Sequence, residues 1–277
     1  MFGFACILSV LGNPARRQIT ARSRTLLYKG GPTMKVTVLM ENTAPAGCAL
    51  APEHGLSFWI ETGEQTILLD AGASGQFADN AAKLGVDLDR ADFAVLSHGH
   101  RDHANGLGRF FAANAHAPVY LRTTAPAPLY AKKPAGYVFV GMDRAMYQTY
   151  QDRFIPVDGF RQLADNVWLV PKTVADPQFD SREATLLQKR GEDDYIPDDF
   201  SHEHALVFRQ GDQLIVFSSC SHGGIVNIVR SVARELKSMG VEQVWTGHCT
   251  GPRALSILEE ELAGRAAALT TGLQISL

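Results

Sequence analysis

The residues of this chain that can do chemistry are concentrated in one short segment, HGHRDH. It contributes His98, His100, Asp102 and His103, and it directly follows the apolar run Phe93–Ser97, which predicts a buried strand. Because alternate residues of an extended segment point to the same side, His98 and His100 can share one metal ion. After a bend, Asp102 and His103 can face a second position nearby. Imidazole and carboxylate ligands together suit Zn²⁺, and also iron or manganese.

Two further histidines stand in matching positions along the chain. His222 follows the predicted strand Leu214–Ser218, and His248 follows the predicted strand Gln243–Thr246. Since sheet folds gather functional groups at the ends of their strands, histidines that follow three separate strands are expected to converge. The sequence therefore predicts one metal centre built from the HGHRDH segment, His222 and His248.

Short apolar runs and helical patterns alternate from Met34 onwards, which predicts the elements that position these residues. The predicted strands are Lys35–Glu41, Leu56–Glu61, Thr66–Asp70, Phe93–Ser97, Val119–Leu121, Val167–Val170, Ala205–Arg209, Leu214–Ser218 and Gln243–Thr246. The predicted helices are Gly75–Leu84, Asn105–Ala113, Ile225–Leu236 and Arg253–Ala263. Early strands follow in hairpin order and later ones are separated by helices. We therefore expect mixed sheets with helices outside, in the α/β or α+β range.

Two stretches depart from this alternation. Residues 1–33 begin with an apolar run and continue as a basic, loop-like tail, so we expect a non-structural extension with Met34 as the functional start. A cleaved targeting segment is the alternative. Residues 122–200 carry many prolines, weak periodicity and the acidic run Glu192–Asp199, which predicts an insert that covers or shapes a site. One domain would then span residues 34–277.

The composition argues against several classes of protein. With 26 lysine and arginine residues against 29 aspartate and glutamate residues, the formal charge of −3 gives no general attraction for nucleic acid or anionic lipid. No apolar run approaches the roughly 18 residues that span a bilayer. The four cysteines are scattered and form no disulfide framework. We therefore expect a soluble cytoplasmic protein that acts on a small molecule; the sequence carries no signal for its oligomeric state.

Several motifs resemble those of one known superfamily. HGHRDH resembles the HxHxDH signature of the metallo-β-lactamase superfamily, and Thr66–Gly72 (TILLDAG) resembles its first motif. ENTAPAGCALAPEHGLSFWIE, LSHGHRDHANGL, CSHGGIVNIV and GHCTG are similar, in order and spacing, to the branch of dihydropterin and methanopterin-related synthases. The resemblance covers the chain from Met34 onwards. It implies a four-layer αβ/βα sandwich, in which two mixed β-sheets are flanked by helices and hold metal at one edge.

The resemblance also implies a role for individual residues. His98 and His100 would bind a first metal ion. Asp102 and His103, together with His248, would bind a second, and Asp102 would also orient the attacking water. A further carboxylate, that of Asp70, would support the site from behind the ligands.

The middle of the superfamily pattern is matched less well. The superfamily has a histidine before the penultimate strand and a bridging aspartate at the end of that strand, where this chain has Cys220. We favour His222 as the ligand, with Cys220 as second choice and His202 or His204 as third. A thiolate can bind zinc, whereas a neutral buried thiol is the competing interpretation of Cys220. The sequence therefore leaves open whether one ion or two are bound.

Three functions are compatible with these residues. The first is a metal-dependent hydrolase whose activated water attacks an ester, lactone, thioester or phosphoester. The second, implied by the name of the branch, is a transferase of the dihydropterin synthase type. The third is a non-catalytic metal-binding or ligand-sensing domain, because a fold does not fix a function.

Four residues are candidates for contact with a substrate. Glu53 and His54 precede the predicted strand Leu56–Glu61 and can project into the mouth of a cleft. Lys132 and Lys133 can meet an anionic substrate from the predicted insert, although solvated lysines are the default interpretation.

Overall fold

A computed structural model describes residues 5–11, 34–179, 184–211, 213–236, 241–247 and 266–276. The strands of these residues form two large sheets and one small sheet. In chain order they are β1 (Ala5–Leu11), β2 (Lys35–Met40), β3 (Ser57–Glu61), β4 (Thr66–Leu69), β5 (Phe93–Val95), β6 (Val119–Arg122), β7 (Leu129–Lys133), β8 (Gly136–Phe139), β9 (Phe154–Val157), β10 (Arg161–Ala164), β11 (Val167–Pro171), β12 (Leu186–Lys189), β13 (Tyr195–Pro197), β14 (His204–Gln210), β15 (Gln213–Ser218), β16 (Val241–Gly247), β17 (Ala266–Ala268) and β18 (Gln274–Ser276).

The helices of the described residues are short. They are α1 (Gln76–Lys83), α2 (Arg101–Ala104), α3 (Leu107–Ala113), α4 (Arg144–Thr149) and α5 (Ile225–Leu236), with 3₁₀ turns at Leu88–Arg90, Gln151–Arg153 and Pro177–Phe179. The nine predicted strands and three of the predicted helices are confirmed, each with ends within two residues of the prediction. The fourth predicted helix, Arg253–Ala263, lies outside the described residues. Within the described part of the chain, no helix has the length and hydropathy that a membrane span needs.

Sheet I contains seven strands in the order β18-β2-β3-β4-β5-β6-β9. Its first half is antiparallel, and the β3–β4 hairpin closes where the Thr62 amide donates to the Gln65 carbonyl over 2.8 Å. From β4 onwards the strands run parallel, because α1, α2, α3 and α4 return the chain to the starting edge. The carboxyl ends of β4 and β5 therefore lie side by side, which places the residues after both strands at one edge of the sheet.

Sheet II has the order β10-β11-β14-β15-β1-β16-β17, so β1 lies inside it. β1 is antiparallel to both neighbours, and Cys6 is in register with Ser218 of β15 and with Thr246 of β16. β15 and β16 therefore run parallel and end at the same level. The prediction that residues 1–33 are non-structural is wrong for Ala5–Leu11. The partners of this strand are more than 200 residues away in sequence, so its role could not be read from its local pattern.

The two large sheets face each other across an apolar core. Phe58 and Ile60 of sheet I and Leu206 and Phe217 of sheet II point into it, and the rings of Phe58 and Phe217 meet edge to face at 5.9 Å. The intervening residues of each strand point outwards, as the two-residue period of a strand requires. The alternation therefore gives each sheet one face for the core and one for the helices.

Helices cover both outer faces. On sheet I, Phe77 of α1 and Phe110 of α3 pack with Trp59 and other outward residues. On sheet II, Ile228 and Val232 of α5 pack against outward residues of β11, β14 and β15. The molecule thus has the order helices, sheet, sheet, helix. This confirms the predicted four-layer arrangement of mixed sheets flanked by helices.

The stretch 122–200 is not one insert, which corrects the prediction. β9 belongs to sheet I, and β10 and β11 belong to sheet II. Only two hairpin-forming pairs of strands leave the sandwich, and they form the small sheet, β13-β12-β7-β8. Strands of three to five residues interrupted by prolines give too few periods for the pattern to separate the two groups.

Candidate metal centre

The HGHRDH segment begins where β5 ends, and its backbone sets the direction of each histidine. His100 is extended, with φ −76° and ψ 146°, and α2 starts at the next residue, so Asp102 and His103 turn away from the strand direction. Gly99 separates His98 from His100, and a Cβ at this position would overlap the carbonyl oxygen of Ala125. The segment is therefore packed tightly against the protein, and only glycine fits between the two histidines.

Asp70 joins the loops that follow three different strands. Its Oδ1 accepts from the Ser97 amide at 2.7 Å, and its Oδ2 accepts from the Ser219 hydroxyl at 2.6 Å and from His103 Nδ1 at 2.8 Å. Asp70 itself has a positive φ of 58°, which turns its carboxylate back towards the loops. Because the carboxylate can only accept, His103 carries its proton on Nδ1, and its Nε2 lone pair faces outwards. The Sγ of Cys220 lies 3.1 Å from that Nε2.

His98, His100 and His222 converge beside this pair. The ring centroid of His98 lies 4.8 Å from that of His100 and 5.0 Å from that of His222, and His100 Nδ1 lies 3.1 Å from His222 Nε2. One ligand atom each from His98, Cys220 and His222 lie within 4.8 Å of one another. A positive φ of 55° at Ser221 turns the chain sharply between Cys220 and His222, which brings both side chains to the site.

The three imidazoles are buried and neutral. Burial, reinforced by the neighbouring imidazoles, holds the pKa of His98 and of His222 well below 6.5. Burial, with His202 nearby, lowers the pKa of His100 to about 3. His98 Nε2 and His100 Nε2 are buried and have no hydrogen-bond partner among the described residues. A buried nitrogen without a hydrogen-bond partner destabilises a protein interior. The lone pair of such a nitrogen is the kind of ligand that Zn²⁺ and similar divalent ions bind. His98 and His100 therefore fit a metal ion.

Asp102 lies between the metal-ligand candidates and the protein surface. Its Oδ2 is 3.6 Å from His103 Nε2 and 3.4 Å from His54 Nε2. The His54 side chain is 70% exposed. Both residues line a cavity of about 350 Å³, with His100, Cys220 and His222 also in its wall. The cavity therefore connects the buried cluster with the outside, and His54, a predicted substrate contact, lies in it.

Glu53, the other predicted contact from this loop, has a structural role. Its Oε1 accepts from the amides of Ala73 and Ser74 at 3.1 Å each, and its Oε2 accepts from the Ser74 hydroxyl at 2.6 Å. The carboxylate thus holds the loop after β4, the loop in which Asp70 lies. Glu53 is thus engaged within the protein, and a contact between Glu53 and a substrate stays a prediction.

His202 and His204 have different surroundings. His204 Nε2 donates to the Leu96 carbonyl at 3.0 Å, and its amide donates to Ser97, so this residue ties β14 to the end of β5. Burial lowers the pKa of His204 to about 4. His202 belongs to a second group of potential ligands, in which one atom each from His100, Asp198 and His202 lie within 4.8 Å of one another.

Asp198 is the residue of this site that the sequence interpretation missed. Its Oδ2 lies 3.0 Å from His202 Nε2, and its Oδ1 accepts from Gln188 Nε2 and from the Phe200 amide, both at 2.9 Å. Burial alone would raise the pKa of this carboxyl, but the hydrogen bonds from His202 and its other donors bring it well below its usual range. Asp198 belongs to the acidic run Glu192–Asp199. The apolar Ile196 and Phe200 beside Asp198 are the signal that it turns inwards.

The geometry predicts that Asp198→Asn destabilises the protein. His202 Nδ1 accepts from the Gly99 amide at 3.1 Å, so the proton of the ring lies on Nε2 and needs an acceptor. In one orientation the NH₂ group of Asn would face the Nε2 proton of His202, and in the other it would face the donors of Gln188 and Phe200. Either contact between two donors costs about 1–3 kcal/mol in the free energy of unfolding. Urea denaturation measures this loss. Asp199→Asn, a change at the exposed neighbour, is the matched control, and equal stability of the two variants would contradict the assignment.

Glu203 positions the loop that carries His222. Its Oε1 accepts from the His222 amide at 2.9 Å, and its Oε2 accepts from the Gly223 amide at 2.7 Å. Burial raises the pKa of Glu203, although these amides oppose the shift.

His248 lies outside the described residues. It directly follows β16, whose Thr246 is level with Ser218, so β16 ends at the same edge as the strand that leads to Cys220.

Comparison with known proteins identifies the family. A family model described as the metallo-beta-lactamase superfamily matches residues 50–226. This chain belongs to the metallo-beta-lactamase superfamily. The superfamily expected from HGHRDH is thereby confirmed, and membership implies that the protein binds a divalent metal.

Relatives of this superfamily member extend over most of its length. It is similar to the 7,8-dihydropterin-6-methyl-4-(beta-D-ribofuranosyl)-aminobenzene-5'-phosphate synthase of Methanocaldococcus jannaschii, with 25% identity over 272 residues, 82% of this chain and 91% of the relative. An uncharacterized protein of the same organism is 24% identical over 198 residues, 70% of this chain and 72% of the relative. The crystal structure of Tm1679, a metal-dependent hydrolase of the beta-lactamase superfamily, matches with a TM-score of 0.73 and 25% identity over 88% of this chain and 99% of that chain.

Proposed function

We propose that this member of the metallo-beta-lactamase superfamily is a metal-dependent hydrolase of small molecules that contain an ester, lactone, thioester or phosphoester bond. The observation that carries the proposal is the cluster of buried, neutral imidazoles at the wall of an open cavity. The Nε2 atoms of His98 and His100 have no hydrogen-bond partner in the part of the chain that the structure describes. Such a cluster is costly to maintain unless it binds a metal.

The ligand atoms fall into two neighbouring sets. His98, His100 and His222 would hold one ion, and Asp102 and His103 would hold a second with Cys220 between them; His248 is the further ligand that we propose for the second ion. Zn²⁺ suits imidazole, carboxylate and thiolate together, with iron or manganese as alternatives. A bound ion of this kind supplies a Lewis acid and makes hydroxide available near neutral pH.

Side chains of the protein would position the attacking water, a ligand ring and the substrate. Asp102 lies at the cavity wall and accepts hydrogen bonds only, so its carboxylate would orient the attacking water. Asp70 would fix the ring of His103 by holding its Nδ1 proton. His54, 3.4 Å from Asp102 and largely exposed, would contact the substrate at the mouth of the cavity.

Metal analysis of the protein purified without chelators, combined with a panel of chromogenic esters, thioesters, lactones and phosphodiesters, tests the proposal. We expect between one and two equivalents of metal per chain. Turnover of at least one bond class should disappear on chelation and return with Zn²⁺ or Mn²⁺. Metal-independent turnover, or no metal even after reconstitution, would contradict the proposal.

A transferase is the second candidate, because the relative from Methanocaldococcus jannaschii is named a synthase and is matched over 91% of its length. The same site would then join a pterin methyl carbon to an aminobenzene ribosyl phosphate, while diphosphate leaves that carbon and the aminobenzene gives up a proton. Product formation that requires both compounds would favour this function. Turnover of each compound alone would favour hydrolysis.

We also propose that the protein works in the cytoplasm on a small molecule, without nucleic acid or membrane as partner. Cys48 is an exposed free thiol, which supports a reducing compartment. Neither large sheet nor the small sheet needs a disulfide to account for its packing in the described residues. Fractionation of cells with an antibody against the chain tests the location.

A further inference from the structure

The small sheet has two chemically different faces, and its register defines them. Ala131 of β7 pairs with Val138 of β8 and with Leu186 of β12, so these three side chains share one face. Lys133 lies two residues beyond Ala131 on β7 and therefore points to the same face. All four residues line the 350 Å³ cavity. The face of the small sheet that meets the cavity is thus aliphatic with one terminal cation.

The other face is aromatic. Tyr130, Tyr137 and Tyr195 contact one another there, with the rings of Tyr137 and Tyr195 stacked at 3.9 Å and those of Tyr130 and Tyr195 edge to face at 5.2 Å. Lys132 pairs with Tyr137 in the register of β7 and β8, which places it on this face. Two adjacent lysines therefore point in opposite directions, and only Lys133 is among the residues that line the cavity.

A second cation reaches the cavity from the HGHRDH segment. The amide of Arg101 donates to the carbonyl of Val140 at 2.8 Å, which fixes the start of α2 against the residue that follows β8. Arg101 and Val140 both line the cavity. Arg101 and Lys133 are exposed, and Asp102, at the metal-ligand end, is the acidic residue of the lining. The cavity thus has a buried metal-ligand end, an aliphatic wall and two cations.

We propose that this cavity binds a substrate with an apolar middle and a terminal phosphate or carboxylate, and that Lys133 and Arg101 hold that terminal anion. The inference rests on the proposed function, because the scissile bond is taken to lie at the metal-ligand end. Val138 and Leu186 contact the apolar middle of the substrate. The cavity is near the lower limit of small-molecule sites, which suits a compact substrate.

The arrangement favours phosphate over carboxylate. Guanidinium and ammonium groups together offer several donors and two positive charges, which match a phosphate dianion better than a carboxylate. The aliphatic side chains of the lining, those of Ala131, Val138, Val140 and Leu186, offer no hydrogen-bond donor to a polar middle. A ligand with a phosphonate at one end and a plain ring behind it is therefore the simplest probe.

The test compares phenylphosphonate, benzoate and benzamide as ligands of the metal-loaded protein by isothermal titration calorimetry. These probes share a ring and differ in charge. We expect affinity to fall in the order phenylphosphonate, benzoate, benzamide. Lys133→Gln should weaken phenylphosphonate about three- to tenfold and leave benzamide unchanged, as loss of one partly exposed ion pair predicts. Arg101→Gln should have a similar effect.

Lys132→Gln is the matched control, because it removes the same charge from the adjacent residue on the aromatic face. Metal content is measured for every variant, so that a lost ligand contact is not confused with a lost ion. Equal effects of Lys132→Gln and Lys133→Gln, or equal affinity for benzamide and phenylphosphonate, would overturn the inference. Hydrolysis is scored separately. Preserved hydrolysis without charge discrimination contradicts this inference alone, and charge discrimination without any hydrolysis contradicts the proposed function alone.

Discussion

Replacement of His100 by alanine is expected to remove metal and turnover together. His100 Nδ1 lies 3.1 Å from His222 Nε2, and the ring also contacts His98, so its loss opens the centre of the ligand cluster. We expect less than half of the wild-type metal content and a fall in kcat/KM on the order of 10³-fold, since the activation of water and the stabilisation of charge are both lost. Elemental analysis and steady-state kinetics on the same preparation measure the two quantities.

His116→Ala is the control for this change. The His116 side chain is 62% exposed, and its Nδ1 lies 3.8 Å from Oδ1 of the exposed Asp89. We expect its metal content and turnover to equal those of the unmodified protein. Full activity of the metal-depleted His100→Ala protein would show that the chemistry does not use this site.

The part of the site formed by the HGHRDH segment could be predicted from local sequence. A buried strand, a bend and four polar residues of ligand type are all encoded between residues 93 and 103, and the structure gathers those residues as expected. His103 lies five residues after His98, just beyond the end of β5. Asp70 follows β4, the parallel neighbour of β5, so this spacing brings His103 into contact with Asp70. A motif that lies at the end of one strand can be interpreted from the sequence once the direction of that strand is known.

Features that depend on distant partners could not be derived in this way. β1 pairs with β15 and β16 across more than 200 residues, and an apolar run that joins a sheet so far away has the same local pattern as a leader. Asp198 was hidden in an acidic run, because its inward direction depends on Gln188 and His202 as partners. Lys132 and Lys133 are equivalent in sequence, and only the register of β7 with β8 separates them.

Asp70→Asn is expected to have the largest effect on stability among single-atom changes at this site. Asn tolerates the positive φ of 58° at this position, so the variant tests the charge and not the backbone. The Asp70 carboxylate accepts from Ser97, Ser219 and His103, and the Asn amide would turn a donor towards at least one of them. We expect a loss of about 2–3 kcal/mol in the free energy of unfolding.

The same change should also weaken metal binding. Without a carboxylate acceptor, His103 can move its proton from Nδ1 to Nε2, which places a hydrogen where the lone pair faces Cys220. Loss of such a supporting contact costs about 10- to 100-fold in metal affinity. Asp92→Asn is the control, because Asp92 is exposed and accepts from the Thr66 amide at the opposite end of β4. If both variants bind metal equally well, Asp70 supports the fold alone and the orientation of His103 comes from packing.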